Sequence, residues 1–571
     1  MKKRYLILIL LFISSFASCG SSTSPYPAKG TIYFVDATNG NDNNAGTSTG
    51  APWKTVSKVN TSSFSPGDAI LFKKGETWRE TLTVPFSGNA GGRITFGAYG
   101  TGANPVITGA DLITPGTNWS LTSYNVWHTN GITTEPKTVT MNGVFGKLKA
   151  STDAMLTEYD WYWAENVLYV YSATDPGTAY TAPGVEYGQR GSAINTNGKS
   201  YITIQDLTAN TSNYYGIFLN GDCSNITVNH VGANFNRVAG ILTSSSATLS
   251  NITMTNNTTS YNGAKGIYTA SNNITQVVIS GNTSTRDGSF FGPTGEDQWG
   301  SGIGMYGAGK TNVLITGNTI SYAGYDRHEN RVSPGNPAKG MGIWLDTVSG
   351  SNIVIRGNNV SNCAGHGIFV EKSDGVQVDY NLSFLNAYDG LRIDSDKDAD
   401  AGVHISQNNK FYNNVSYGNT GNGLACVGGW AQDGNYVKNN TWKNNASVGN
   451  GVQFQMKWGG ENDGSMGSGN VYLSNLLGVP VVSHFVEWGT GVHKDTVAAF
   501  DTAYGSATMT VGADPLFVST STSDFHLLPS SPAINAGINV SLTMDYEGNP
   551  VPVGSGPDIG AYENQSTSGN R

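Results

Sequence analysis

The chain has 571 residues, 74 of them Gly, with only 13% of residues charged and a formal net charge of −9. So sparse a supply of Glu, Lys and Arg argues against long surface helices and favours turn-dense β structure. With no basic run beyond the first four residues, nucleic acid is not an expected partner.

The first element is an address. "MKKR" supplies positive charge and "YLILILLFISSF" a short apolar run, too short for a permanent membrane-spanning helix, followed by "ASCG". Phe16-Ala17-Ser18-Cys19 resembles a bacterial lipobox. That resemblance implies cleavage before Cys19 and lipid attachment to its sulfur; the alternative is an ordinary signal peptide cut nearby. Either reading exports the protein, to the bacterial cell envelope as an outer-membrane or surface lipoprotein, or into the medium. Membrane contact would be through the anchor alone. Residues 20–29 read as a linker.

Residues 30–112 follow as a cap and first coils, with "TIYFVDATNGNDNNAG", "FSPGDAILFKKGETW" and "GGRITFGAYGTGANPVITGA". These stretches resemble the opening of pectate-lyase-like β-helix proteins. Residues 113–185 break the pattern: "NVWHTNG", "KTVTMNG" and "DWYWAENVLYVYSATDP" predict a small antiparallel β insertion with its own aromatic core.

Residues 186 to about 510 read as the main helix and its groove, and between 216 and 455 two phrases alternate. One reads Gly-apolar-X-apolar-X: "GIFLN" at Gly216, "GILTS" at Gly240, "GIYTA" at Gly266 and "GIGMY" at Gly302. It continues as "GIWLD" at Gly342, "GIFVE" at Gly367, "GLRID" at Gly390, "GLACV" at Gly423 and "GVQFQ" at Gly451. The other ends in Asn at 282, 318, 358, 381, 414 and 440, read as one column at a left-handed turn. A shared period of roughly 23–28 residues, stretched by insertions, predicts one architecture, a right-handed parallel β-helix in an all-β chain. Residues 511–571 form its C-terminal cap segment and tail. Cys223, Cys363 and Cys426 have no disulfide or zinc spacing and read as small buried hydrophobes.

Strand alternation locates the chemistry. Positions one and three after each Gly are apolar and point inward, so positions two and four point out. The fourth position reads Asn220, Ser244, Ala270, Tyr306, Asp346, Glu371, Asp394, Val427 and Gln455, with three carboxylates on consecutive coils. Adjacent strands lie about 4.8 Å apart, so Asp346 with Glu371, or Glu371 with Asp394, suits a retaining glycosidase, whose carboxyls stand about 5–5.5 Å apart. Asp346 with Asp394, two coils apart, suits an inverting one. Acids so close predict at least one raised pKa, with Asp394 raising that of Glu371 or binding a hydroxyl. Trp344 and Phe369 are outward aromatics beside the acids. Arg392 and His366 are candidates to bind hydroxyls or tune the acids. Two long insertions add Trp299, Asp326, His328 and Glu329 as candidates on the groove wall.

"GMGIWLDTVSG" followed one coil later by "HGIFVEKSDG" resembles the retaining β-helix glycoside hydrolases of β-xylosidase type, which carry an inserted β domain. The resemblance implies Asp346 as nucleophile and Glu371 as acid/base, with no cofactor. Two enzymatic alternatives share the scaffold. "GHGI" and "LRI" echo polygalacturonases, although Arg392-Ile393 is followed by Asp394 rather than the Lys of that family. A pectate-type lyase would need Ca²⁺, for which Asp394, Asp396, Asp398 and Asp400 are candidate ligands, and Lys372 or Lys457 as base. A non-catalytic surface β-helix that binds glycans or acts as an adhesin explains the export and the coils but not the stacked acids. The expected partner is an oligo- or polysaccharide, and the expected state a monomer.

Overall fold

The structure is a computed structural model and describes residues 30–289, 299–332, 339–398, 402–428, 437–458, 469–478, 486–488, 493–494, 496–504 and 509–565. The leader with Cys19, and Asp400, lie outside the described residues.

Each turn of the chain feeds three sheets, of 15, 13 and 12 strands. The coil that carries Asp346 shows the path: Lys339–Asp346 in the 13-stranded sheet, Ser349–Arg356 in the 15-stranded sheet and Asn359–Ser361 in the 12-stranded sheet. The chain then re-enters the 13-stranded sheet one level on, at Ile368–Glu371, in parallel register with its predecessor. Three-residue strands such as Asn359–Ser361 are too short to show an alternation, so the third sheet left no phrase in the sequence.

Apolar residues at the position after each Gly stack through the interior. Ile267, Ile303, Ile343, Ile368 and Leu391 are successive partners, all at 0% exposure. Each such side chain contributes about 2 kcal/mol by burial, which is what winds the chain. The Gly has a steric cause: a Cβ on Gly342 would lie 2.1 Å from Val360 Cγ1, and one on Gly367 2.0 Å from Ser383 Oγ. The coil enters this sheet pressed against the third.

The interior also holds amide ladders. Asn257, Asn282, Asn318, Asn358, Asn381, Asn414, Asn445 and Asn475 are buried, and each Nδ2 donates to the next Oδ1 at 2.9–3.0 Å. Two expectations are corrected here. The left-handed residue is the one before each ladder Asn, as at Gly281, Gly317, Gly357, Tyr380 and Asn413, which leaves the Asn free to point inward. Asn440 belongs to a separate ladder with Asn409 and Asn470. Tyr412 pairs with Lys443, so the continuation from Asn414 is Asn445.

A further ladder, Asn236 to Asn262, ends on Asp287 instead of an amide. Asp287 accepts from Asn262 N and Nδ2, Thr259 Oγ1 and Ser284 Oγ, yet burial pushes its pKa up to about 6. Asn386, three residues after Ser383, shows that an amide fits this geometry. Below the unfolded value of 3.8 both states hold the proton, and above about 6 the folded state must ionise a buried acid. Asp287→Asn should therefore stabilise the protein by about 3 kcal/mol at pH 7.5, with the gain falling as pH drops through about 6 and gone below about 4, read from thermal midpoints across pH.

The insertion is antiparallel, as expected, in every described pairing but one. Ala110–Ile113 and Val185–Gly188 pair antiparallel at its base, but Lys147–Leu148 runs parallel to Asp160–Ala164. Trp119, Met141, Trp161, Leu168 and Val170 form its separate core. The C-terminal segment packs Phe517, Phe525, Leu527 and Ile559 on Leu382, Val415, Ala446 and Leu476. It thus covers the outer side of the 12-stranded sheet. The three cysteines are buried and reduced.

Candidate active site

The 13-stranded sheet brings Tyr306, Asp346, Glu371, Asp394 and Val427 into one row as successive Cα partners. Inward neighbours Leu345, Val370 and Ile393 sit in the core, so the acids face out. Both Asp346 and Glu371 end their strands, and the residues that follow them, Thr347 at φ 59° and Lys372 at φ 48°, turn the chain into the next sheet. The two acids therefore leave the backbone one strand spacing apart, about 4.8 Å. The row's next partner after Val427 is Lys457, not Gln455 as the phrase alignment suggested. Gln455 pairs with Ala425 and donates to Glu487 Oε2 at 2.7 Å.

These carboxylates are sunk rather than displayed on a flat ladder: the side chain of Glu371 is 17% exposed and that of Asp394 14%. Trp344 Nε1 donates to Glu371 Oε2 at 2.9 Å, and Lys372 Nζ lies 3.5 Å from Oε1. Burial, then the Asp346 charge, push the Glu371 carboxyl up to about 7; Asp394 adds to this, while Lys372 and the Trp344 hydrogen bond oppose it. Asp346 has a different setting, accepting from Thr347 Oγ1 at 2.7 Å. One acid poised to hold a proton at neutral pH beside a hydrogen-bonded partner can do acid/base work. Trp344→Phe removes a donor to the ionised form, so the Glu371 midpoint should rise above about 7, read by infrared titration of its carboxyl against Glu371→Gln.

Asp394 is clamped by Arg392, at 2.6 and 3.2 Å, and Arg392 also reaches Asp389 at 2.8 Å. His366 Nδ1 lies 3.3 Å from that same Asp389 oxygen, Oδ2, and accepts from Asp389 N at 3.2 Å, while Asn422 donates to Oδ1. Burial opposes the charge on Asp389, yet His366 and Arg392 hold its carboxyl well below the usual range. The expectation that His366 and Arg392 bind sugar hydroxyls is thereby revised. His366 is buried behind Phe369, at 5.1 Å between ring centres, and both residues act on the acids through Asp389 and Asp394. Burial also lowers the His366 pKa, against the pull of Asp389.

The aromatic expectations change as well. Trp344 is 8% exposed, with Lys265 Nζ 4.6 Å from its ring centre, so it is no open platform for a sugar. Phe369 is buried beside it, under the Arg392 guanidinium at 5.7 Å. Among the described residues, Trp299, 6.1 Å from Trp344 and half exposed, and Tyr306 next to Asp346 in the row, are accessible rings.

His328 and Glu329 lie on a loop tied elsewhere. Asp326 accepts from the backbone of His328 and Asn330, Glu329 meets Arg286 at 3.3 Å, and His328 Nε2 takes Arg327 Nε at 2.9 Å. Arg327 then lies over Tyr159 at 4.1 Å and donates to Phe145 and Glu158 carbonyls of the insertion. These contacts brace the loop on the insertion rather than join His328 or Glu329 to the acids.

For Ca²⁺, Asp394 is engaged by Arg392, and Asp396–Asp398 forms a hairpin with Gly402–His404. Among the described residues no group of three or more His, Cys, Asp or Glu is arranged to hold a metal.

Sequence reasoning missed Lys265, Lys339, Tyr268 and Asp389. The alignment looked only at positions after each Gly, whereas Lys265 and Lys339 precede theirs.

With this geometry in view, a family model described as "Right handed beta helix region" matches residues 294–457. The fold is the right-handed parallel β-helix. The solved complex of XylC with xylose superposes with a TM-score of 0.60 at 14% identity, over 93% of this chain and 98% of that one. The GH136 lacto-N-biosidase of Eubacterium ramulus gives 0.45 at 16% identity, over 77% of this chain and 65% of that one. In sequence, lacto-N-biosidase of Bifidobacterium longum subsp. longum is 40% identical over 88 residues, which is 15% of this chain and only 6% of that protein.

Proposed function

We propose that the protein is an exported retaining glycoside hydrolase acting on oligosaccharide or polysaccharide fragments, with Asp346 as nucleophile and Glu371 as acid/base. The observation that carries this reading is the direct register of Asp346 with Glu371 on one sunken face. The spacing of about 4.8 Å is near the 5–5.5 Å of retaining pairs and too short for a water to intervene. In the first step Asp346 attacks the anomeric carbon while Glu371 protonates the departing oxygen; a covalent glycosyl–Asp346 ester forms. In the second step Glu371 takes a proton from water, which attacks the same carbon and frees Asp346. Asp394, neutralised by Arg392, is a poor partner for the inverting alternative.

Two names guide the choice of sugar: XylC was solved with xylose, and the sequence relative is a lacto-N-biosidase. The test is a panel of aryl and natural β-glycosides that begins with β-xylosides and lacto-N-biosides. Proton NMR follows the anomer released first. Retention of configuration supports the proposal, and inversion removes Asp346 from the nucleophile role. Unsaturated uronate products that disappear with chelator would replace the hydrolase by a lyase. Binding without turnover would leave a glycan-binding solenoid. The lipid anchor on Cys19 is part of the proposal and is tested by mass spectrometry of the membrane-extracted protein.

A further inference from the structure

Lys265 is a buried cation for which the reaction above has no use. It opens the strand Lys265–Thr269, two coils before Asp346, and is 6% exposed. A lysine at such a place ordinarily runs its ammonium out to water. This one crosses Gly304 on the intervening coil, where a Cβ would come within 3.0 Å of both Lys265 Cδ and the Tyr268 ring. A side chain at 304 would crowd this passage. The ammonium ends between Tyr268, 4.8 Å away, and Trp344, 4.6 Å away, and is hydrogen-bonded to the Trp299 carbonyl. Trp344 in turn gives its indole N–H to Glu371. One cation thus touches the ring that serves the acid/base.

On the hydrolase reading of this site, we infer that Lys265 is a positioning residue that seats Trp344 against Glu371 and holds Asp346 in its ionised form. Asp346 favours the charged form of Lys265, against burial and the repulsion of Lys339. Such coupling is reciprocal, so the ammonium favours ionised Asp346 by the same free energy. Tyr268, Gly304 and Trp344 are successive partners, and Asp346 follows Trp344 by two residues on the same outward face, so the ammonium over the Trp344 ring stands on the side of the sheet that carries Asp346. Burial brings Lys265 down to about 7, so it is charged across the acidic range in which carboxylates titrate. The groups that face it are Asp346, Lys339 and Tyr268, with Glu371, Lys372 and Asp394 acting on the acid pair from the other side. A cation over the Trp344 face also fixes the ring plane, and with it the direction of the indole N–H.

The test is an infrared difference titration of Asp346, taken as each protein minus its Asp346→Asn counterpart, in wild type and in Lys265→Met. Methionine keeps the length and packing of the side chain without the charge. The Asp346 midpoint should rise by about one pKa unit, a tenfold gain in proton affinity. The acid limb of kcat/KM should move up with it. Lys265→Gln, which retains a donor for the Trp299 carbonyl, should give the same shift and serves if the Met variant does not fold. An Asp346 midpoint unmoved in a folded variant overturns the inference. The infrared readout needs no turnover: a shift in a protein that cleaves no glycoside would sink the hydrolase reading and leave the Lys265–Asp346 coupling in place.

Discussion

Glu371→Gln should cut turnover of unactivated glycosides about a thousandfold, within the range that positioned acid/base groups contribute. Gln can neither protonate the leaving oxygen nor deprotonate water, so both steps suffer. Aryl glycosides with acidic leaving groups should be spared in the first step only, and the glycosyl–Asp346 ester should then accumulate. Intact-protein mass spectrometry would show it as one added sugar. The wild-type pH profile should agree: the first step needs protonated Glu371, so kcat/KM should fall as pH rises through about 7. In Glu371→Gln that limb should vanish. The same substitution removes a buried acid whose pKa is raised on folding, so the folded protein should be more stable than wild type at neutral pH. A variant that loses activity while gaining stability separates catalysis from unfolding. Unchanged turnover on the substrate that wild type cleaves would end the assignment.

The second large effect is on the scaffold. Asn358→Ala should destabilise the protein by about 3–5 kcal/mol, seen as a fall in the urea midpoint of its first unfolding transition. Asn318 N and Nδ2 both donate to Asn358 Oδ1, and both would be left without that acceptor inside the core. Each unsatisfied buried donor costs about 1–3 kcal/mol. The Asn358 amide also reaches Ile315 O and Asn381 Oδ1, so the break spans three coils. Asn352 is the control, since its side chain bonds Asn312 Oδ1 on the exposed surface. Asn352→Ala should cost only about 1 kcal/mol, set by the left-handed φ of 55° that Asn adopts more readily than Ala. Equal effects from the two would remove the ladder from the account of stability. Activity should fall with Asn358→Ala as well, because that residue lies on the coil whose strand ends in Asp346.

The acids were legible for a definite reason. Alternation within Gly-Ile-Trp-Leu-Asp and Gly-Ile-Phe-Val-Glu decides which residues face out, and the register runs unbroken from Ile343–Ile368 to the acids, so equal counting puts Asp346 beside Glu371. Counting failed where that condition failed. Gly451 is not the partner of Gly423; Leu424 pairs with Phe454, which puts Gln455 in the neighbouring row and Lys457 in the acid row. The same slip misplaced Asn440, because "VKNN" imitates "FYNN" while the ladder runs through "WKNN". Phrase likeness does not measure hydrogen-bond register.

Local rules therefore sufficed for the winding, the three stacked acids and the buried cysteines, all of which follow from side-chain period and the absence of a Cβ at each coil's start. What those rules left open was set by contacts between coils that lie far apart in the chain. Lys265 reaches Trp344 through the room that Gly304 leaves between them, His366 turns inward against Asp389 on the next coil, and Asp394 is neutralised by an arginine that also serves Asp389. Charge burial and ion pairing depend on distances through space, and no spacing along a sequence encodes them.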